Sequence, residues 1–273
     1  MTATQTQQPT FQKVTYDVAD NVATITLNDP ASLNALDSTM KGELLQALSH
    51  AEYDDTAKVI VLTGAGKGFS SGGDIREMLG STETRQAVLK MAHGLTTGVG
   101  EISRKLRKIS KPIIARINGA AAGAGMNIAL ACDFRVASDN AKFLQAFVNI
   151  GLVPDGGGIY LLSQLIGAAK TTELVMLGEQ ITAQKAEDLG LVNALVSQDT
   201  LDAAVKKLTD RLTSLPTLAL AAMKQSINQV AFAGLDIALD QEVIYQMQMA
   251  TSEDFKEGIT AFMQKRPAEF KGR

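Results

Sequence analysis

Two five-residue apolar runs, Val59–Thr63 and Ile113–Ile117, constrain this chain more than any other feature. Each stops at Gly64 or Asn118-Gly119, passes through small residues and leads into a helical stretch. Runs this short and this rich in β-branched residues are strands covered on both faces, and a helix after each supplies the cover. Two such strand–glycine–helix units, at 59–79 and 112–132, place the chain in the α/β class. Other segments fit around them. Val14–Val18 and Val22–Leu27 alternate apolar and polar about Ala19-Asp20-Asn21, which reads as a hairpin. Met40, Leu44, Leu45, Ala47 and Leu48 give Ser38–Ala51 helical spacing, and a long helical segment runs from Thr84 to Ile109. Phe134–Ala137 and Phe143–Gln145 read as short strands. Past Gly157 the pattern is helical: Ile159–Ile166, Ala169–Leu177, Thr182–Leu189, Leu201–Leu212, Leu218–Phe232, Ile237–Thr251 and a last helix from Ser252. Thr182 and Ser252 suit N-caps. The expected organisation is a polar tail over 1–12, an α/β core over 13–200 and a helical region over 201–273.

Several function classes are disfavoured at once. The 273 residues include a single cysteine, Cys132, and two histidines, His50 and His93. No disulfide framework, cysteine zinc site or His-rich metal centre can be built from these. With 26 basic against 29 acidic residues, nothing favours a nucleic-acid partner. The most apolar run, Gly119–Cys132, contains Asn127 and is shorter than the roughly 18 residues of a membrane span. The opening MTATQTQQPT has neither a basic nor an apolar targeting region. The expectation is a soluble, cytoplasmic protein with no metal and no membrane partner.

Two segments place backbone amides at a helix start behind a buried strand: Ser70-Ser71-Gly72-Gly73-Asp74 and Ala120-Ala121-Ala122-Gly123-Ala124-Gly125. Unpaired N–H groups and the positive end of the helix dipole suit such a place to an anion or a developing oxyanion. Small side chains let a substrate approach the backbone. Simple turns are the alternative reading of each. Gly68-Phe69-Ser70-Ser71-Gly72 fits the G-x-S-x-G pattern of serine hydrolases, but only His93 lies downstream to act as base. Gly64-Ala65-Gly66-Lys67-Gly68 lacks the spacing of a phosphate-binding P-loop.

Four segments recur in order and spacing in one family: Lys67–Arg76 (KGFSSGGDIR), Pro112–Gly125 (PIIARINGAAAGAG), Ala129–Asp133 (ALACD) and Gly151–Gly158 (GLVPDGGG). From Val14 to Arg273, through the closing FMQKRPAEFKGR, the chain resembles the enoyl-CoA hydratase/isomerase, or crotonase, superfamily. The resemblance implies a ClpP-like spiral of ββα repeats with a C-terminal helical trimerisation region, assembled as a homotrimer or a dimer of trimers. It implies an acyl-CoA thioester substrate, with CoA as part of the substrate and no separate cofactor. The thioester oxygen would lie between the N–H groups of Gly73 and Ala124, the two helix starts noted above. Losing one donor of such an oxyanion hole costs roughly 2.7–4 kcal/mol of barrier. Ser32 and Leu33 match backbone contacts to adenine. Lys67, Arg76 and a neighbouring subunit's copy of Lys265 match phosphate partners. Gly72, Asp74, Ile75 and Phe262 fall at further substrate-contacting positions. The basic residue that many relatives carry before the Leu-Asn pair is Ala31 here, so the diphosphate clamp is weaker or supplied elsewhere.

The chain departs from the hydratase pattern at two places. Hydratases of this family hold one water between two glutamates, and those positions are Asn127 and Phe147 here. Neither can act as a general base; Asn127 could still hydrogen-bond a ligand, and Phe147 would narrow and dry the pocket. Asp155 is the acidic residue left in this constellation, flanked by Pro154 and Gly156 like many turn aspartates. The same departures mark the 1,2-epoxyphenylacetyl-CoA isomerase branch, which is similar in activity to Δ3,Δ2-enoyl-CoA isomerases. The resemblance therefore implies an isomerase with Asp155 as its base. A hydratase and a non-catalytic acyl-CoA-binding paralogue are the alternatives. Asp74 and Asp133 read as a helix cap and a structural residue. Phe69, Met78, Leu79, Met91 and Phe147 suggest an apolar acyl pocket. Met223, Ile227, Val230, Ile244, Met247, Ile259 and Phe262 lie on C-terminal faces with no partner evident in the chain, as an oligomer contact would need.

Overall fold

The computed structural model describes residues 10–79 and 84–273; residues 1–9 of the expected polar tail lie outside the described residues. Strands β1 (Val14–Ala19) and β2 (Val22–Leu27) form the expected hairpin. Its two turn residues, Asp20 and Asn21, both take positive φ, the backbone of a two-residue turn that matches strand twist. Helix α1 (Ser38–Tyr53) is capped by Asp37, whose carboxylate accepts from the Met40 N–H at 2.8 Å.

Beyond α1 the chain makes three similar turns. β3 (Val59–Gly64) and β4 (Gly68–Ser70) lead to α2 (Ile75–Leu79) and α3 (Arg85–Lys108). β5 (Ile113–Ile117) and β6 (Ala120–Ala122) lead to α4 (Ala124–Ala131). β7 (Phe134–Ser138) and β8 (Lys142–Leu144) lead, through a 3-10 turn at Ala146–Ile150, to α5 (Gly158–Leu177). In each turn the first strand joins a six-stranded sheet, ordered β1-β2-β3-β5-β7-β10, and the second joins a four-stranded sheet, ordered β4-β6-β8-β9. Strands β9 (Gln180–Thr182) and β10 (Ala194–Val196), with α6 (Ala183–Asp188) between them, complete the two sheets. This is the expected ββα spiral.

Alternation along the central strands explains why β3 is buried throughout. Ile60 and Leu62 pack with Met40, Leu44 and Leu48 of α1, whereas Val59 and Val61 pack with Leu201, Val205 and Leu212 of α7 (Leu201–Thr213). In the second sheet β8 matches the expected strand at Phe143–Gln145, whereas β4, β6 and β9 were not legible as strands, because three residues are too few to show a period. Side-chain amides brace the link from β3 into β4: Asn34 Nδ2 donates to the carbonyls of Ala65 and Gly68, and Asn118 Nδ2 to those of Gly64 and Gly66.

Helices α8 (Thr217–Ala231), α9 (Leu235–Ala250) and α10 (Glu253–Gln264) finish the chain. Asp133, read as structural from the sequence, accepts from the Ile113 N–H at 2.8 Å and pairs with Lys224 of α8 at 2.7 Å and Arg107 of α3 at 3.2 Å. Two of the supposedly partnerless C-terminal residues do have partners. Ile259 is fully buried with Phe147, Ile150 and Phe255, and Met247 packs against the same cluster. Their positions face the chain's own core, which helical spacing alone could not distinguish from an outward face. Met223, Ile227, Val230, Ile244 and Phe262 remain exposed.

Close contact between α4 and β4 depends on Gly125. A Cβ there would lie 2.6 Å from the Ser70 Cβ and 2.7 Å from the Ser70 carbonyl oxygen. Gly125→Ala is expected to cost about 1–3 kcal/mol through overpacking and to lower Tm by several degrees in thermal denaturation, despite alanine's better helix propensity. An unchanged or raised Tm would contradict this packing.

Candidate active site

The two helix starts predicted from sequence meet in space. The link from β4 to α2 runs Ser71-Gly72-Gly73-Asp74, and the link from β6 to α4 is Gly123. Gly72 has φ of 89°, and a Cβ on it would lie 2.6 Å from the Ala122 carbonyl oxygen and 3.3 Å from the Ala124 nitrogen. Only glycine permits this approach. The Ser71 N–H donates to the Leu33 carbonyl and the Gly72 N–H to Ser70 Oγ. Among the described residues the Gly73 N–H has no such acceptor. Ala124 opens α4, so its N–H has no partner within the helix. Gly73 and Ala124 line one cavity, and so does Asp155.

Asp155 is 5% exposed, and its Oδ1 is buried without a hydrogen-bond partner among the described residues. The cavity around it is walled by Ile75, Met78, Met91, Val99, Phe147 and Phe255. Burial in these surroundings pushes the Asp155 carboxyl up to about 7, while the positive charge of Lys41 opposes the shift. A carboxyl with this affinity for protons is suited to accept and return one near neutral pH.

The backbone that carries Asp155 is fixed on several sides. Asn127 Nδ2 donates to the Asp155 carbonyl at 2.7 Å, and Gln145 Nε2 donates in turn to Asn127 Oδ1 at 2.8 Å. Ser103 Oγ of α3 donates to the Gly156 carbonyl at 2.7 Å. From α9, Gln246 Nε2 donates to the Val153 carbonyl at 2.7 Å, and Glu242 Oε2 accepts the Gly157 N–H at 2.8 Å. Burial, reinforced by the charge of Asp155, raises the Glu242 carboxyl to about 8.

Apart from Asn127, which was expected to face a ligand, sequence reasoning missed these holding groups. The available signal was the buried stripe of α9, Leu235, Leu239, Glu242, Gln246 and Ala250, where two polar residues occupy positions that spacing assigns to the core. Lys41 was missed for the same reason: it lies on the inward stripe of α1 and is 5% exposed.

The remaining sequence candidates separate into groups. Gly72, Ile75 and Phe147 line the cavity with the catalytic candidates. Asn127 is fully buried outside the lining, with its amide committed to Asp155 and Gln145. Asp74 caps α2, accepting from the Arg76 N–H at 2.7 Å. Ser32, Leu33, Lys67, Arg76, Phe262 and Lys265 do not line the cavity; Leu33, Lys67, Arg76, Phe262 and Lys265 are exposed. Of the suggested acyl-pocket residues, Met78, Met91 and Phe147 are in the wall. Phe69 instead belongs to the main core, and Leu79 packs behind the wall, because their positions point them inward. Ser70 of the G-x-S-x-G match is fully buried, and its hydroxyl donates to the Asn34 carbonyl while accepting from Gly72. His93 is exposed on α3. The structure therefore assembles no serine triad from that motif.

Residues 17–273 match the model of the enoyl-CoA hydratase/isomerase family. The chain is 37% identical over 265 residues to a trans-2-decenoyl-[acyl-carrier-protein] isomerase of Streptococcus mutans, covering 96% of this chain and 99% of that protein. It is 36% identical over 256 residues to the 1,2-epoxyphenylacetyl-CoA isomerase of Escherichia coli, covering 94% and 97%. A crystal structure of an enoyl-CoA hydratase from Mycobacterium avium subsp. paratuberculosis superposes with a TM-score of 0.86 at 35% identity, covering 96% of this chain and all of that one. The chain belongs to the enoyl-CoA hydratase/isomerase family and has its crotonase fold. It is an enzyme of that family, whose members act on acyl-CoA thioesters. Among the described residues no helix is long and apolar enough to cross a membrane.

The Asp155 environment has a consequence for stability. Its folded-state affinity for protons exceeds the unfolded value of about 3.9, so the folded chain binds more protons between roughly pH 4 and pH 7. Its contribution to stability is complete below pH 4 and is lost as pH rises through 7. Asp155→Asn removes that loss. The variant is expected to match the parent's stability at pH 4 and to exceed it at pH 8 by on the order of 4 kcal/mol at most, measured by urea denaturation. Equal stabilities at pH 8 would contradict the assigned environment.

Proposed function

We propose that this enzyme is an isomerase that moves a double bond adjacent to an acyl thioester, with Asp155 as its single proton carrier. The observation that carries this reading is the buried, unpartnered Asp155 Oδ1 in the same apolar cavity as the Gly73 and Ala124 amides. Asp155 takes a proton from C2 of a 3-enoyl thioester, and the electron pair moves onto the thioester oxygen. The two N–H groups stabilise that dienolate. Returning the proton to C4 leaves the double bond between C2 and C3. A single carboxyl serves both steps where water is kept away.

Phe147 and Asn127 argue against hydration. Phe147 presents an aromatic ring to the cavity, and Asn127 is tied to the Asp155 backbone and to Gln145, so neither holds a water for addition. The names of the two isomerase relatives support the same reading, including its extension to epoxide isomerisation. They also put two thioester carriers in view, CoA and acyl carrier protein. For CoA, the proposed contacts are Ser32 and Leu33 at the adenine, with Lys67, Arg76 and a neighbouring subunit's Lys265 at the phosphates. Phe262 contributes from α10, and CoA enters as part of the substrate. The proposed assembly is a homotrimer or dimer of trimers, which the exposed Met223, Ile227, Val230 and Ile244 support, and the proposed compartment is the cytoplasm.

Purified enzyme is expected to convert trans-3-enoyl-CoA to the trans-2 isomer faster than it hydrates crotonyl-CoA. Asp155→Asn should lower the isomerase kcat by about 10²–10⁴-fold with thioester binding little changed. Retention of full isomerase activity by that variant would sink the proposal, and 3-hydroxyacyl-CoA as the main product would favour a hydratase.

A further inference from the structure

Resting on the reading of Asp155 as proton carrier, we infer that Glu242, one helical turn from Gln246 on α9, is a positioning residue that aims Asp155 by anchoring the Gly157 N–H. Four hydrogen bonds within residues 153–157 support the carrier. Val153, Asp155 and Gly156 each offer a carbonyl to a side chain, and Gly157 offers its N–H. Asn127, Ser103 and Gln246 supply donors to the three carbonyls; Glu242 alone supplies an acceptor. The side chains come from α4, α3 and α9, so the segment is gripped from three directions while the carboxyl Oδ1 is left unpartnered.

Glu242 stands apart from the rest. It is 7% exposed and does not line the cavity, so it acts on substrate only through the backbone it holds. Gly156 and Gly157 both have positive φ, at 60° and 83°, and a bare glycine pair has many alternative conformations. A buried acceptor at 2.8 Å selects one of them. Glu242 and Gln246 are spaced i and i+4 and therefore share one face of α9, so a single helix grips both flanks of Asp155. The C-terminal helical region thereby sets the geometry of the reacting group as well as covering the cavity with Ala250 and Phe255.

The test compares Glu242→Leu, which removes the acceptor at similar volume, with Glu242→Gln, whose amide oxygen still accepts from Gly157. In isomerase assays on a trans-3-enoyl-CoA, Glu242→Leu should lower kcat about tenfold to a hundredfold with KM within about twofold, and Glu242→Gln should restore kcat to within about threefold of the parent. The same Leu substitution placed in an Asp155→Asn background should lower the residual rate by less than twofold, since residues that act through one another are not additive. Parent-like kcat in Glu242→Leu, an undiminished loss in the Asp155→Asn background, or a Glu242→Gln variant as impaired as Glu242→Leu would each overturn the inference. Should Glu242→Leu not fold, Glu242→Gln and Glu242→Ala carry the same comparison. If Asp155→Asn itself retains full activity, the proton-carrier reading has failed; if Asp155→Asn is impaired while Glu242→Leu is not, only the positioning role has.

Discussion

One constraint organises the rest of the molecule: a carboxyl that is buried, apolar on its open side and unbonded at one oxygen. Such a group is unfavourable in any fold, since an unpaired polar atom out of water costs free energy and burial disfavours its charged form. Asp155 persists there because its backbone is fixed by Asn127, Ser103, Gln246 and Glu242. Its Oδ1 is left without a hydrogen-bond partner among the described residues. The same burial that makes the residue costly gives it the proton affinity of a base that works near neutral pH.

The ββα spiral supplies what faces this carboxyl. Because β4 and β6 are neighbours in the small sheet, the loops that follow them end side by side, and Gly72 brings the two within van der Waals contact. Two amides from different turns of the spiral then address one cavity. A single helix start would offer neighbouring N–H groups from one strand end; two adjacent turns offer a pair that brackets an oxygen. In the proposed reaction the fold supplies the oxyanion site, and the position of the acid decides which reaction it serves.

Much of this was legible in the residues. Val59–Thr63 and Ile113–Ile117 announced central strands because their β-branched residues are covered on both faces, and the glycine-rich segments after them announced the helix starts. Other parts were not legible, for physical reasons. Strands β4 and β6 are three residues each and carry almost no side-chain pattern; backbone pairing with each other and with β8 defines them, while Asn34 and Asn118 brace the link into β4. Ile259 and Met247 carry the same helical spacing whether they face a neighbour or their own core. Glu242 and Lys41 show the converse: a charged residue on an inward stripe reads as a break in the pattern until its buried partner is known. Asn127 was legible as a departure from a hydratase, but its bond to the Asp155 carbonyl joins residues 28 positions apart.

Central to this account is one carboxyl, shielded from water, that carries a proton from C2 to C4. The most direct measurement follows the hydrogen itself. A 3-enoyl-CoA deuterated at C2 would be turned over in ordinary water, and the C4 position of the 2-enoyl product examined by mass spectrometry and NMR at low conversion. Shielded transfer by Asp155 predicts a substantial fraction of product with deuterium at C4. Product carrying only solvent hydrogen at C4 from the first turnovers would contradict it, placing a second acid or an open water path in the reaction.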